Sequence, residues 1–324
     1  LKEQKIDHPR ILVLIEFSEE SGSPDLPHYM ELCSEKIGTP DLVICLDSGA
    51  GDYNRFWTTT SLRGLIGLTM KIEVLNEGVH SGGASGHVPS SFRIARKLLS
   101  SLEDENTGEI LLEELHTKIP DHRVKETEKL VSILGEEVVL EFPWKNGMKP
   151  STNDKVEGVL RRTWRPALSV VGSDGLPPTA NAGNVLRPYT TLQLSMRIPP
   201  MVEAKKARDA IKKKLTESIP YEASVKLHFE EAADGWNAPE TSPWLIEAIK
   251  KASENYFDEK PCSISEGGTI PFMAMLGERF PEAQFVITGV LGPQSNAHGP
   301  NEFLHIPFAK KLTCCISSII SDFK

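Results

Sequence analysis

Apolar and polar positions along this 324-residue chain alternate in short blocks whose periods predict the elements. A continuous apolar run, ILVLIEF at 11–17, reads as a strand, a helix is expected over about 27–37, and LVICL at 42–46 reads as a second strand. Strand–helix–strand is a βαβ unit and implies a parallel sheet. GLIGLTMKIEVL at 64–75 has the length of a strand and runs into the glycine-rich turn 77–83. Over 89–104, Phe92, Ile94, Leu98, Leu99 and Leu102 recur with helical period. The stretch 105–185 is polar and irregular, with one helix expected near 124–135. A strand at 189–198, a helix at 201–218 and a strand at 223–230 then suggest a small α/β sandwich. From about 237 the pattern returns to helices (242–257, one opening near 269, and 306–322) and one apolar strand at 284–290. The expected architecture is a discontinuous α/β domain, 1–60 and 237–324, interrupted by an inserted lid at 61–236.

Composition narrows the function classes. A hydrophobic content of 39% and a charged content of 25% are those of a globular protein. The net charge of −9 argues against nucleic acid as a partner, because phosphate binding needs a basic stripe. The lysines at 205, 206, 212, 213 and 214 share their helix with Glu203, Asp209 and Glu217, and read as a solvated face. No run of 18 apolar residues occurs, and the opening LKEQKIDHPR has no apolar signal segment. Five cysteines, at 33, 45, 262, 314 and 315, form no Cys-x-x-Cys pair and fit reduced thiols in a cytoplasmic protein. The absence of Met at the start and the immediate arrival of the first apolar run lead us to expect a fragment of a longer chain.

The chemistry concentrates after the apolar runs. Glu19 and Glu20 follow 11–17, Asp47 follows 42–46, and His298 lies in a Gly/Pro/Asn loop after 284–290. In open α/β sheets, ligand and catalytic groups collect beyond strand ends. Carboxylate and imidazole are also the donors that Zn²⁺ or Mn²⁺ takes. Each residue has a plainer reading. The glutamates suit a helix N-terminus capped by Ser18, Asp47 before Ser-Gly suits a turn, and His298 suits an exposed loop. The run His80-Ser-Gly-Gly-Ala-Ser-Gly-His87 matches neither a phosphate-binding loop nor a serine nucleophile elbow. A flexible turn bearing one functional imidazole remains. Arg197, near the end of an apolar strand, is either a bidentate clamp for a substrate carboxylate or a solvated arginine.

Taken in order, Glu-Glu-Ser-Gly-Ser, Leu-Asp-Ser-Gly, Gly-Val-His-Ser-Gly, Ser-Met-Arg-Ile-Pro, Glu-Gly-Gly-Thr-Ile-Pro and His-Gly-Pro-Asn-Glu resemble the dinuclear zinc peptidase family of carnosinase and cytosolic nonspecific dipeptidase. Aminoacylase, carboxypeptidase G and succinyl-diaminopimelate desuccinylase are its more distant relatives. The resemblance covers nearly the whole chain. It implies a three-layer zinc-exopeptidase-like α/β catalytic domain, its N-terminal part missing, and an α/β sandwich lid that forms a homodimer. It implies two divalent ions, zinc first with Mn²⁺ or Co²⁺ as alternatives. Glu19 would be the general base, Glu20 and His298 ligands of one ion, and Asp47 a ligand of the other. His80 would reach the neighbouring subunit's site, and Arg197, Asn184, Gly268 and Thr269 would hold the substrate.

Two departures qualify that picture. The family carries an upstream His-x-Asp motif, and none of the nine histidines here has Asp two residues later. Those ligands would lie before Leu1, so the chain as it stands is expected to be inactive or nearly so. Asn184 stands where the related dipeptidases carry threonine. The expected substrate is a dipeptide or short peptide, with no nucleic acid or membrane partner. An N-acyl amino acid deacylase or desuccinylase on the same scaffold is the second enzymatic reading. A metal-free peptide-binding or regulatory homologue is the non-enzymatic one.

Overall fold

A computed structural model describes residues 1–323 of the chain as a mixed α/β structure in two compact units. Unit 1 comprises Leu1–Leu62, Ile119–Thr163 and Trp236–Lys324; unit 2 comprises Arg63–Lys118 and Trp164–Gly235. The strands are β1 (Leu42–Cys45), β2 (Trp57–Leu62), β3 (Gly64–Glu73), β4 (Val79–His80), β5 (Ala167–Asp174), β6 (Val185–Leu186), β7 (Tyr189–Ile198), β8 (Ser224–Phe229), β9 (Trp236–Asn237), β10 (Cys262–Glu266) and β11 (Gln284–Ile287).

In unit 2 the sheet order is β5-β7-β3-β8, antiparallel throughout. The period of two read from the sequence is realised residue by residue. Thr190, Leu192, Leu194, Met196 and Ile198 of β7 are buried, while the residues between them stand on the other face. Helices Ser91–Leu99 and Ala204–Glu217 cover the inner face with Ile94, Ala95 and Leu98 and with Ala207, Ile211 and Leu215. Each large aliphatic side chain so buried contributes about 1.5–3 kcal/mol.

Glu73 on β3 bridges two lysines that face each other across the β3–β8 ladder. Its carboxylate lies 2.8 Å from Lys71 Nζ and 2.7 Å from Lys226 Nζ. Hydrogen bonds from Lys226 and then Lys71 hold its pKa down to about 2. A carboxyl depressed below its ordinary value stabilises the fold above that value, and the contribution is lost as pH falls through about 2. Glu73→Gln leaves Lys71 opposite Lys226 and is expected to lower the melting temperature at neutral pH and low salt. The difference from wild type should shrink in 1 M salt and disappear near pH 2, as read by circular dichroism melts.

Unit 1 contains a mixed sheet of order β1-β11-β2-β10, with β9 added beside β2. β1 and β11 are parallel, β10 and β2 are parallel, and the two pairs meet through an antiparallel bridge between Ile287 and Thr59. Its main core gathers Phe56, Trp57, Leu245, Ala252, Val286, Phe308, Leu312 and Ile319 beneath helices Pro243–Phe257 and Ile306–Asp322. Residues 119–163, within the stretch that the sequence reading gave to the lid, pack in this unit. Buried Arg123 donates there to Glu126, to Asn237 Oδ1 and to the carbonyl of Ala238.

The expectation of a strand at 11–17 fails. These residues have no regular structure and no ladder partner among the described residues; Val13 is 75% and Phe17 93% exposed. A strand is defined by pairing, and β propensity without a neighbour does not produce one. With that strand goes the parallel βαβ unit built on it. The 27–37 helix forms as two pieces, Leu26–Leu32 and Ser34–Ile37, broken at Cys33.

All five cysteines are free thiols. Burial pushes Cys45 and Cys315 up to about 12 and Cys262 up to about 11, so none of the three forms thiolate at neutral pH. Alkylation of the native protein is expected to modify exposed Cys314 first and half-buried Cys33 next. Mass mapping should find the other three labelled only after denaturation. No helix among the described residues is long and apolar enough to cross a membrane.

Candidate active site

Glu19 and Glu20 occupy a single 3₁₀ turn, Glu19–Ser21, closed by Gly22 at φ 83°, whose N–H donates to the Glu19 carbonyl at 2.7 Å. Ser18 stands at the N-cap position but makes no side-chain cap; its N–H donates instead to the Glu16 carboxylate. A three-residue turn has almost no macrodipole, which removes the plainer explanation of the paired acids.

Both glutamates line a cavity of about 460 Å³ together with Asp47, Ser48, Gly49, Leu62, Glu266, Gly268, Thr269, Ile270, Leu291 and His298. Six of the nine expected site residues are thus brought to one place: Glu19, Glu20, Asp47, Gly268, Thr269 and His298. His298 sits at φ 58° in a loop where Gln294, Asn296 and Asn301 also have positive φ. Such backbone conformations are uncommon outside glycine and cluster at functional sites. The loop is tied by Asn296 Nδ2 donating to the Pro300 carbonyl at 2.6 Å and by the His298 N–H donating to Glu302 at 3.3 Å.

The crowding of acids shapes the electrostatics. Desolvation first, then the charges of Asp47, Glu20 and Glu16, push the Glu19 carboxyl above its ordinary value, against a smaller opposite pull from His298. Asp47 is raised by desolvation, then by Glu20 and Glu266, and lowered by His298. His298 Nε2 stands 3.9 Å from Glu20 Oε2. That pair is the right chemistry for one edge of a divalent-ion site. It does not complete one: among the described residues no three His, Cys, Asp or Glu side chains are grouped so as to hold a metal ion. These donors by themselves therefore do not fit a closed metal centre.

The other three residues belong to unit 2. His80 ends β4, which pairs with β6 so that His80 faces Val185, and the Ser81 N–H donates to the Asn184 carbonyl at 2.9 Å. The ribbon therefore places His80 and Asn184 side by side. His80 caps the turn Ser81–Ala84, its Nδ1 accepting from the Gly82 N–H at 3.1 Å. With Nδ1 an acceptor, the neutral ring carries its proton on Nε2 and presents it as a donor to solvent. Arg197 lies on the outer face of β7, in register with Leu65 of β3 and Ala167 of β5. Burial lowers its pKa, and a partly desolvated guanidinium binds a carboxylate more strongly than one in bulk water.

Sequence reasoning gave no role to Glu266. It is the last residue of β10, so the same strand-end argument that found Asp47 would have found it. It escaped because CSISE does not look like a strand.

The sequence profile of the M20 peptidase dimerisation domain matches residues 60–222, about half of the chain. The chain is 24% identical over 317 residues to a cysteinylglycine-S-conjugate dipeptidase of Corynebacterium striatum, covering 92% of this chain and 65% of that protein. It is 24% identical over 318 residues to the Cys-Gly metallodipeptidase dug1 of Schizosaccharomyces pombe, covering 94% and 64%. It therefore spans slightly less than two-thirds of the length of the curated relatives it matches. Among solved structures, human carnosine dipeptidase 1 superposes with a TM-score of 0.74 at 18% identity, over 94% of this chain and 64% of that one. With the profile match, the ordered motifs and the shared fold in hand, the chain belongs to the M20 peptidase family.

Proposed function

We propose that the protein hydrolyses the peptide bond of dipeptides or short peptides, with divalent metal ions as cofactors and a homodimer as the working form. The observation that carries this reading is the convergence of Glu19, Glu20, Asp47 and His298 on one cavity, with the Glu19 carboxyl raised. The names of the curated relatives, both dipeptidases and one a metallodipeptidase, support it. A divalent ion there would supply Lewis acidity for the carbonyl and for water.

Glu19 is the proton carrier. A carboxylate whose pKa is lifted towards neutrality takes a proton from attacking water more readily and still releases it to the leaving amine. Glu20 and His298 would be ligands of one ion and Asp47 a ligand of the other. His80 Nε2–H, contributed by the neighbouring subunit, polarises the scissile carbonyl. Arg197 takes the terminal carboxylate of the substrate, assisted by Asn184 and by the Gly268–Thr269 backbone. Water adds to the carbonyl carbon, the C–N bond breaks, and the proton from the water leaves on the amine.

The substrate class is tested by comparing Xaa-Gly dipeptides with N-acetyl amino acids on the full-length gene product. A kcat/KM at least ~100-fold higher for dipeptides is expected, equivalent to about 2.7 kcal/mol of discrimination. The reverse order would establish a deacylase, and no turnover of either would contradict hydrolysis.

Gly268 offers a cleaner check of the substrate pocket. A Cβ built there meets nothing within 4 Å. Gly268→Ala is thus expected to leave the melting temperature within about 1 °C of wild type, as surface substitutions do. If substrate passes against this backbone, KM for a dipeptide should rise several-fold with kcat little changed.

A further inference from the structure

Asp47 is carried on residues 46–48, which have no regular structure, so something other than a ladder must fix where its carboxylate stands. On one side the turn is tied to the loop after β11, with the Ala50 N–H donating to the Leu291 carbonyl at 2.7 Å. On the other side the ties converge on one carboxylate oxygen, beside a direct contact between the Ser48 and Thr59 hydroxyls. Glu266 Oε1 accepts from the Gly49 N–H at 3.0 Å and lies within hydrogen-bond distance of Ser48 Oγ, at 2.8 Å, and of Thr59 Oγ1, at 3.2 Å.

Ser48 and Thr59 are 4% and 3% exposed, and their hydroxyls also touch each other. Each hydroxyl carries one proton, so one of the two donates to the carboxylate and the other to its hydroxyl neighbour, while the Gly49 N–H points to the carboxylate in either arrangement. Ionised acceptors make the stronger hydrogen bonds. A Cβ at Gly49 would stand 3.1 Å from Glu266 Oε1, so the approach leaves no slack.

We infer that Glu266 is a positioning residue for the proposed hydrolysis: through Oε1 it fastens the Ser48–Gly49 turn to β2 and β10 and thereby sets the place of the Asp47 carboxylate. It acts on the reaction through Asp47, and what matters is an acceptor oxygen at that point. The catalytic part of this inference rests on the peptidase reading; the structural part does not.

The test uses the full-length gene product with Glu266→Ala, Glu266→Asp and Glu266→Gln. Gln keeps an acceptor oxygen at the same reach, whereas Asp keeps the charge but withdraws it by one methylene. Native-state amide exchange reads the tie directly at Gly49, with Val286 and Ile287 of β11 as internal references. In Ala and Asp the Gly49 amide is expected to exchange at least ~10-fold faster while the references hold. In Gln it should stay close to wild type. In the same variants kcat for a dipeptide should fall on the order of 100-fold in Ala and Asp, with KM within about 3-fold, the size expected for a misplaced catalytic group. Gln should recover most of that loss.

Gly49 exchange unaffected in Asp, or Gln behaving like Ala, would overturn the inference. So would loosened Gly49 exchange with kcat unchanged. A wild type without dipeptide turnover would defeat the peptidase reading, and the exchange measurement would still decide the tie.

Discussion

Glu19→Gln is expected to lower kcat for peptide hydrolysis by the full-length gene product by about 10²–10⁴-fold, the usual worth of a general base, with KM little changed. The substitution keeps the shape of the side chain and removes only its ability to carry a proton. The cost should therefore fall on the chemical step and not on the fold. The electrostatics allow a stronger statement. In the metal-free protein Glu19 is held among like charges on Asp47, Glu20 and Glu16. Neutralising one member of such a group relieves repulsion. The melting temperature of metal-free Glu19→Gln should therefore equal or exceed that of wild type. A variant that lost activity together with several degrees of melting temperature would show Glu19 to be structural.

Gly289→Ala should have the second-largest effect, through a different route. A Cβ at position 289 would lie 1.8 Å from the Ser48 carbonyl oxygen and 2.5 Å from the Ser48 nitrogen. Both are backbone atoms, so no side chain can rotate away. Either the loop after β11 or the turn bearing Asp47 must move. Overpacking of this kind costs about 1–3 kcal/mol, or several degrees of melting temperature at this size. Activity should fall further than stability, because the turn that moves is the one that carries Asp47. Calorimetry and dipeptide kinetics on the same preparation would separate the two. For the stability arm alone, Gly268→Ala, with open space around its Cβ, is the matched control.

Much of this architecture was legible in the residues. The ten-residue strand β7 and helices Pro243–Phe257 and Ile306–Asp322 follow the periods of two and 3.6 almost to the residue, because each buries one face and solvates the other. Asp47 and His298 were found from their place after apolar strands. What failed did so for physical reasons. The strongest strand signal in the chain, 11–17, forms no strand because no neighbour pairs with it. Conversely, β2 reads as polar, WTTTSL, yet Thr59, Thr60 and Ser61 are buried in the middle of a sheet. Thr59 and Thr60 are tolerated there because the Ser48–Glu266 pair and Glu126 stand within hydrogen-bond reach of their hydroxyls, and those partners lie elsewhere in the sequence. The same blindness hid β10 and, with it, Glu266. The role of Asn184 came from family motifs alone, whereas for His80 and Arg197 the residues left a functional imidazole and a carboxylate clamp open beside their plainer readings, and the motifs chose between them.

Metal dependence is the claim on which the rest turns. Glu20 and His298 approach to 3.9 Å, and no third donor joins them among the described residues. The 324-residue chain alone is therefore expected to bind Zn²⁺ or Mn²⁺ weakly and to turn over dipeptides far below an ordinary enzyme rate of about 1–10³ per second. The direct test is elemental analysis of the full-length gene product, paired with Xaa-Gly hydrolysis before and after chelation. The expected result is about two divalent ions per chain, with activity abolished by the chelator and restored by Zn²⁺ or Mn²⁺. Undiminished hydrolysis by a product free of metal would contradict the account.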